Sequence, residues 1–249
     1  MQPIHEAAKN GDIETLAALL DAGADIETPD NDGSTPLCYA ILSWKSEPVR
    51  FLVERGANTN VYFKKAESAL HALVIVGEIE MIPLLLDHGA DVDWLSDYNH
   101  TPLSEAVGKG HVEIAKLLIE RGADVNRKDP THHRTLLHGT ALWNRPEVVG
   151  ILVEAGTKVN EQDDMGYSPL HIAAGLGHVE VVAALLDNGA NIEGVGCGDM
   201  TPLYQAVLRN QPETVLALLE RGASINALHC ATAKGNVELM ALLRDAGAE

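Results

Sequence analysis

Ser168-Pro169-Leu170-His171-Ile172-Ala173-Ala174-Gly175-Leu176-Gly177-His178-Val179-Glu180-Val181-Val182-Ala183-Ala184-Leu185-Leu186-Asp187-Asn188-Gly189-Ala190 reads as two short helices and two breaks. Ser168 caps the first helix, and Pro169 suits its first turn, where no backbone donor is required. Pro169, Leu170, Ala173 and Ala174 belong to that helix, and Gly177 breaks it. Val179, Val182, Leu185 and Leu186 form the apolar stripe of the second helix. Gly189 supplies the left-handed residue that ends it. Upstream, Glu161-Gln162-Asp163-Asp164-Met165-Gly166 is turn-rich and leads in as a hairpin-like finger.

The pattern recurs along the chain. Gly followed by a small residue stands at Gly23, Gly56, Gly89, Gly122, Gly156, Gly189, Gly222 and Gly247, at intervals of 33, 33, 33, 34, 33, 33 and 25 residues. A second marker keeps step: Pro3-Ile4-His5, Thr35-Pro36-Leu37, Ala69-Leu70-His71, Thr101-Pro102-Leu103, Leu136-Leu137-His138, Ser168-Pro169-Leu170-His171, Thr201-Pro202-Leu203 and Ala227-Leu228-His229. A helix pair of this size cannot bury its apolar face alone, so neighbours must stack into a quasi-one-dimensional solenoid.

With its period of about 33 residues and its T-P-L-H-type marker, the sequence resembles the ankyrin-repeat family. The resemblance implies an all-α solenoid of about eight helix–turn–helix units with hairpin-like fingers, in one domain over 1–249. Unit boundaries fall near 1–29, 30–62, 63–95, 96–128, 129–162, 163–195, 196–226 and 227–249. It also implies a concave groove lined by fingers and first helices, and a recognition scaffold in place of an enzyme. In the family the marker histidine bonds within and between repeats, so His5, His71, His138, His171 and His229 are expected to be structural, as are the recurrent His111 and His178.

Composition bounds the alternatives. Apolar residues make up 46% of 249 and aromatic residues 4%, so the core must be Leu, Ala, Val and Ile. Three widely spaced cysteines, with no CxxC pair, indicate a reducing compartment and not a disulfide framework. The cytoplasm is expected, with the nucleus as the other compartment. Met1 to Asn10 lacks the features of a signal peptide, and no apolar run approaches the ~20 residues that span a bilayer, so no membrane association is expected. The formal charge of −18 argues against nucleic acid, which needs a basic stripe. Much of that charge falls in two columns. Glu14, Glu47, Glu80, Glu113, Glu147, Glu180, Glu213 and Glu238 lie at second-helix starts, where a carboxylate suits the helix dipole. Asp21, Glu54, Asp87, Glu120, Glu154, Asp187, Glu220 and Asp245 lie just before second-helix ends. Both columns are expected to face solvent and serve solubility.

Function on such a scaffold should sit where the repeats differ. The fourth finger carries Asp97, Tyr98 and His100. The fifth has an extra residue in Thr131-His132-His133-Arg134 and lacks the Gly found at Gly33 and Gly166. Met165 and Tyr167 belong to the sixth, and Trp143, beside Leu142, ends the fifth unit's first helix. This aromatic, His-rich cluster with Arg134 has the composition of a binding hot spot. Trp44 replaces a Gly, and because a left-handed backbone would strain Trp, Ser43–Pro48 is expected to loop differently. Asn144 and Asn210 replace the same Gly without strain. The finger Val61-Tyr62-Phe63-Lys64-Lys65 is basic and aromatic but a weak patch. Pro83 inside a second helix, 79–87, should bend it. The seventh finger is missing between Ile225 and Ala227, and the last unit breaks off at Glu249.

No phosphate loop, dinucleotide fingerprint, HExxH or GxSxG is present, so no catalytic set and no cofactor is expected. The three His and Asp97 lack the spacing of a zinc site, so no metal is expected. The expected partner is another protein or peptide, held by Trp44, Asp97, Tyr98, His100, His132, His133, Arg134, Trp143, Met165 and Tyr167 across repeats three to six. The alternative is a small-molecule or enzymatic groove that uses Asp97, His100, His132 and His133 as acid–base groups. A third reading is self-association through the last unit, which exposes Met240.

Overall fold

The computed structural model describes residues 2–61, 68–225 and Leu243. The second-to-third finger from Tyr62, the missing seventh finger, His229 and Met240 lie outside the described residues. Two compact units divide the chain, Met1–Ala123 and Asp124–Glu249. Among the described residues all regular structure is helical.

In the first unit the helices are α1 (Pro3–Asn10), α2 (Ile13–Asp21), α3 (Pro36–Leu42), α4 (Ser46–Glu54), α5 (Ala69–Val76), α6 (Ile82–Asp87), α7 (Pro102–Lys109) and α8 (Val112–Glu120). First helices pack on first helices, α1 on α3, α3 on α5 and α5 on α7, and each also packs on its own second helix. The second unit holds α9 (Leu136–Trp143), α10 (Val149–Glu154), α11 (Pro169–Leu176), α12 (Val179–Asp187), α13 (Pro202–Leu208) and α14 (Pro212–Glu220). It repeats the plan, α9 on α11 on α13 and α10 on α12 on α14. Helices this short are marginal alone, so their stability comes from packing. Leu37, Leu70 and Leu103 fill the shared interior of the first unit, and Leu137, Leu170 and Leu203 that of the second, all at most 1% exposed.

The expected bend at Pro83 does not occur. The helix instead starts late, at Ile82, with Pro83 in its first turn. There the missing N–H and the ring's clash with the preceding turn cost nothing, whereas a helix starting at Ile79 would have carried both. Every described acid of the two columns is exposed. Arg55 pairs with Asp21 at 3.1 Å and Arg121 with Asp87 at 2.9 Å, and Arg221 pairs with Asp187. Pairs this exposed contribute little.

The marker histidines tie helix to finger. Ser168 is the N-cap of α11, its N–H donates to His171 Nδ1 at 3.2 Å, and His171 Nε2 donates to the Met200 carbonyl at 3.0 Å. His138 makes the same bridge from Thr135 to the Tyr167 carbonyl, His71 from Ser68 to that of His100, and His5 from Gln2 to that of Thr28. Burial, chiefly, pushes the His138 and His171 imidazoles below their ordinary value. A proton on Nδ1 would also face the cap's N–H, donor against donor.

The folded state therefore binds protons on these two rings later than the unfolded chain does. Their contribution to stability is full above the ordinary histidine value of 6.5 and is lost as pH falls below it. Cooling of the melting temperature between about pH 7.5 and about pH 5.5 should be larger in the wild type than in a His138→Gln/His171→Gln double variant. Equal drops would clear the two rings of that role.

Candidate functional site

The fingers that start at Asp30, Ser96, Asp129 and Asp163 are tight turns, each closed by a backbone bond and organised by that acidic or hydroxyl side chain. In the finger of the second repeat Asp30 Oδ1 accepts from the N–H groups of Asp32 and Ser34, and Oδ2 accepts from the Tyr39 hydroxyl at 2.6 Å. The Tyr39 bond first, and the backbone donors after it, hold the Asp30 carboxyl down at about 2. In the fourth finger Ser96 N–H bonds the His100 carbonyl at 3.0 Å, and Asn99 takes the left-handed position. Asp97 and Tyr98 stand at this tip, with Tyr98 68% exposed. His100 pairs through Nδ1 with Glu105 at 2.7 Å and not with Asp97; that bond is the main cause that lowers the Glu105 carboxyl.

Trp44, also in the first unit, does not avoid the left-handed region. Its φ is 57°, as at Asn144 and Asn210, and its N–H bonds the Ile41 carbonyl at 3.0 Å. The glycine-type helix exit is kept in spite of the indole, because the second helix must start in register on the first. The ring is 46% exposed.

In the second unit, the extra residue of the fifth finger is accommodated by His133, which takes a positive φ of 53° in the absence of Gly. Asp129 accepts from the N–H groups of Thr131, His132 and Arg134. Desolvation pushes the Asp129 carboxyl up, but these donors together outweigh it and hold the group low. His133 Nδ1 meets Asp164 at 2.9 Å, and the Asp164 N–H bonds the His132 carbonyl at 3.1 Å, so the fifth and sixth fingers are joined. The His132 ring Nδ1 lies 3.8 Å from Asp129 Oδ1, beyond hydrogen-bond reach. Arg134 Nε donates to Asp163 Oδ2 at 3.1 Å. The Asp163 side chain is fully buried, and its Oδ1 accepts from the Met165 and Tyr167 N–H groups. Arg134 thus commits one edge to the fold.

The structure brings Arg134, Met165 and Tyr167 together in a cleft of about 300 Å³. Leu142 of α9, Ile172, Gly175 and Leu176 of α11, and Gln205 and Arg209 of α13 complete it, with His171 at the wall. Tyr167 stacks tilted on His171, their rings 5.8 Å apart. Trp143 is not part of the lining. Its ring lies against its own helix, where a Cβ on Gly139 would come within 2.7 Å of it, and it stays 42% exposed. Gly175, Gln205 and Arg209 escaped the sequence reading. The signal was present: Arg209 shares a repeat position with Trp143 and Leu176, and Gly175 shares one with Leu142 and Leu208. Among the described residues no group of three or more His, Cys, Asp or Glu side chains could hold a metal ion.

A family model described as ankyrin repeats (3 copies) matches residues 1–63, 49–129 and 137–227. The chain belongs to the ankyrin-repeat family. Two solved ankyrin-repeat domains are similar over most of its length. The human ASB11 domain is 26% identical with a TM-score of 0.72, covering 90% of this chain and 99% of that one. The Bcl-3 domain, from a member of the IkappaB protein family, is 28% identical with a TM-score of 0.78, covering 88% and 98%. Curated relatives match over shorter stretches. The ankyrin repeat domain-containing protein oryK of Aspergillus oryzae is 41% identical over 54 residues, 22% of this chain. The human DNA-binding protein RFXANK is 40% identical over 68 residues, 27% of this chain. The match spans 9% of the first relative's length and 26% of the second's.

Two outcomes follow from these ankyrin repeats. Trp44→Asn should raise stability by about 0.5–1 kcal/mol, since Asn tolerates the left-handed backbone that Trp does not. A loss in chemical denaturation would show that indole packing outweighs the strain. Arg134→Gln should cost about 2–3 kcal/mol, because it leaves the buried Asp163 carboxylate without its cation. A change below about 0.5 kcal/mol, the level of an exposed pair, would make Arg134 free for binding alone.

Proposed function

We propose that the chain is an interaction scaffold that holds a segment of another protein across the fingers and first helices of its second unit, in repeats five to seven. Ankyrin repeats are generally protein–protein interaction domains, and the structural relatives share the architecture. The observation that carries the placement is the cleft beside α11, where apolar side chains remain open to solvent: Met165 is 55% exposed, Leu176 46% and Leu142 36%. Exposed apolar groups gathered around a few polar ones are the usual make-up of a contact surface. Trp143 extends the apolar area from α9. Trp44, Asp97, Tyr98 and His100 hold the corresponding finger and helix-end positions in the first unit and would add contacts there.

The alternative, an acid–base groove, has less support. His100 and His133 are each already paired with a carboxylate, and the cleft is lined by none of Asp97, His100, His132 and His133. Nucleic acid is disfavoured by the charge of −18. A reducing compartment, cytoplasm or nucleus, suits the reduced thiols of the buried Cys38 and the exposed Cys197.

A photo-crosslinking side chain placed at Met165 or Leu142 should capture a partner polypeptide, whereas one at Leu216 on α14 should not. Leu216 is a fair control because it is similarly apolar and 40% exposed, but on a second helix. Equal capture from Leu216 would move the binding face off the fingers and first helices.

A further inference from the structure

The cleft's charge runs against that of the chain. Acidic residues outnumber basic ones 36 to 18, yet the ionised side chains lining the cleft are two arginines, Arg134 and Arg209, with no carboxylate. Arg134 gives one edge to Asp163. Arg209 differs. It is exposed at the C-cap of α13, and its guanidinium makes no ion pair or hydrogen bond with the described residues. Its stem lies beside the bare backbone of Gly175, where Cγ would stand 3.7 Å from an added Cβ.

Gly175 opens the space beside it. The equivalent positions of the flanking first helices are Leu142 and Leu208, so the absent side chain leaves a notch between α9 and α13. Gln205 forms part of its floor. Its side chain is more than nine-tenths buried, Nε2 contacts the Met200 sulfur at 3.1 Å, and Oε1 would lie 3.7 Å from a Gly175 Cβ and accepts nothing from the described residues. The notch therefore offers apolar walls, one inward amide oxygen and one unpaired cation at its rim.

We infer that the partner segment is acidic: an extended peptide that seats an apolar side chain over Gly175, donates a backbone N–H to Gln205 Oε1, and delivers an Asp or Glu carboxylate to Arg209. This rests on the reading of the second unit as a partner-binding face. A volume of about 300 Å³, at the small end of the range of ligand clefts, suits one or two anchoring side chains of a peptide. Arg is the side chain suited to two-pronged carboxylate recognition.

The test selects peptides from a random displayed library on the full chain and titrates the winners against variants. Selected peptides should carry Asp or Glu within a few residues of a Leu, Ile, Met or Phe. Gly175→Leu, which installs the side chain of the flanking repeats, should fold with unchanged circular dichroism and weaken them at least about tenfold. Arg209→Gln should weaken them about three- to tenfold and remove the acidic preference from a fresh selection. Replacing the peptide's acid by its amide should cost the wild type a similar factor and the Arg209→Gln variant nothing. Peptides that Gly175→Leu blocks but that show no acidic preference, or are indifferent to Arg209→Gln, would overturn this inference and leave the binding face standing. Peptides indifferent to Gly175→Leu, or no peptides at all, would count against both.

Discussion

The bridge from His71, His138 and His171 to a finger carbonyl 29 residues later is the contact on which the site depends. A finger is a two-stemmed turn with few buried groups of its own, and the carbonyl that closes it keeps a second lone pair for the imidazole. The imidazole reaches that carbonyl only because its other nitrogen is fixed by the cap at the start of its own helix. One side chain thus joins the cap N–H at a helix start to the carbonyl that closes a finger and sets the angle between helix and finger. His138 orients the finger that carries Met165 and Tyr167, and His171 both orients the next finger and forms the wall of the cleft. Move either ring and the cleft changes shape before any lining residue is touched.

The scaffold was legible because its cause is local and periodic. Capping residues, helix-ending glycines and apolar stripes at a period near 33 each have a physical reason to recur, and the helices start and stop where those signals stand. Two departures had causes the pattern did not weigh. Pro83 was read as an interruption, but a helix can begin at a proline more cheaply than bend around it. Trp44 was read as incompatible with a left-handed exit, yet the exit is imposed by the stacking of both flanking helices, and a cost of about 1–2 kcal/mol is small against that packing.

The site was less legible because the reading searched for large residues. Tyr98, Trp143 and Met165 stand out in a chain with few aromatics, and they are indeed exposed. A cleft, however, is made as much by what is missing. Gly175 carries no chemistry and draws no notice in a sequence rich in glycine, but it is small where its neighbours are Leu142 and Leu208. Arg209 needed the same column comparison. Arg134 was noticed, but the buried partner that claims part of it, Asp163, is one of several finger acids and can be singled out only once its depth is known.

The acidity of the chain bears on how such a cleft would work. With a charge of −18, the long-range field repels an acidic segment, so steering cannot be the source of selectivity. At physiological salt that field decays over roughly 8 Å, and the acid columns sit on the second helices, away from the fingers. What acts at contact is the local set: an arginine that no carboxylate among the described residues engages, an amide oxygen turned inward, and apolar walls that exclude water and so strengthen the pairing. Recognition would then be slow to form and would depend on the whole segment fitting, and a partner that merely carried negative charge would be turned away by the rest of the surface.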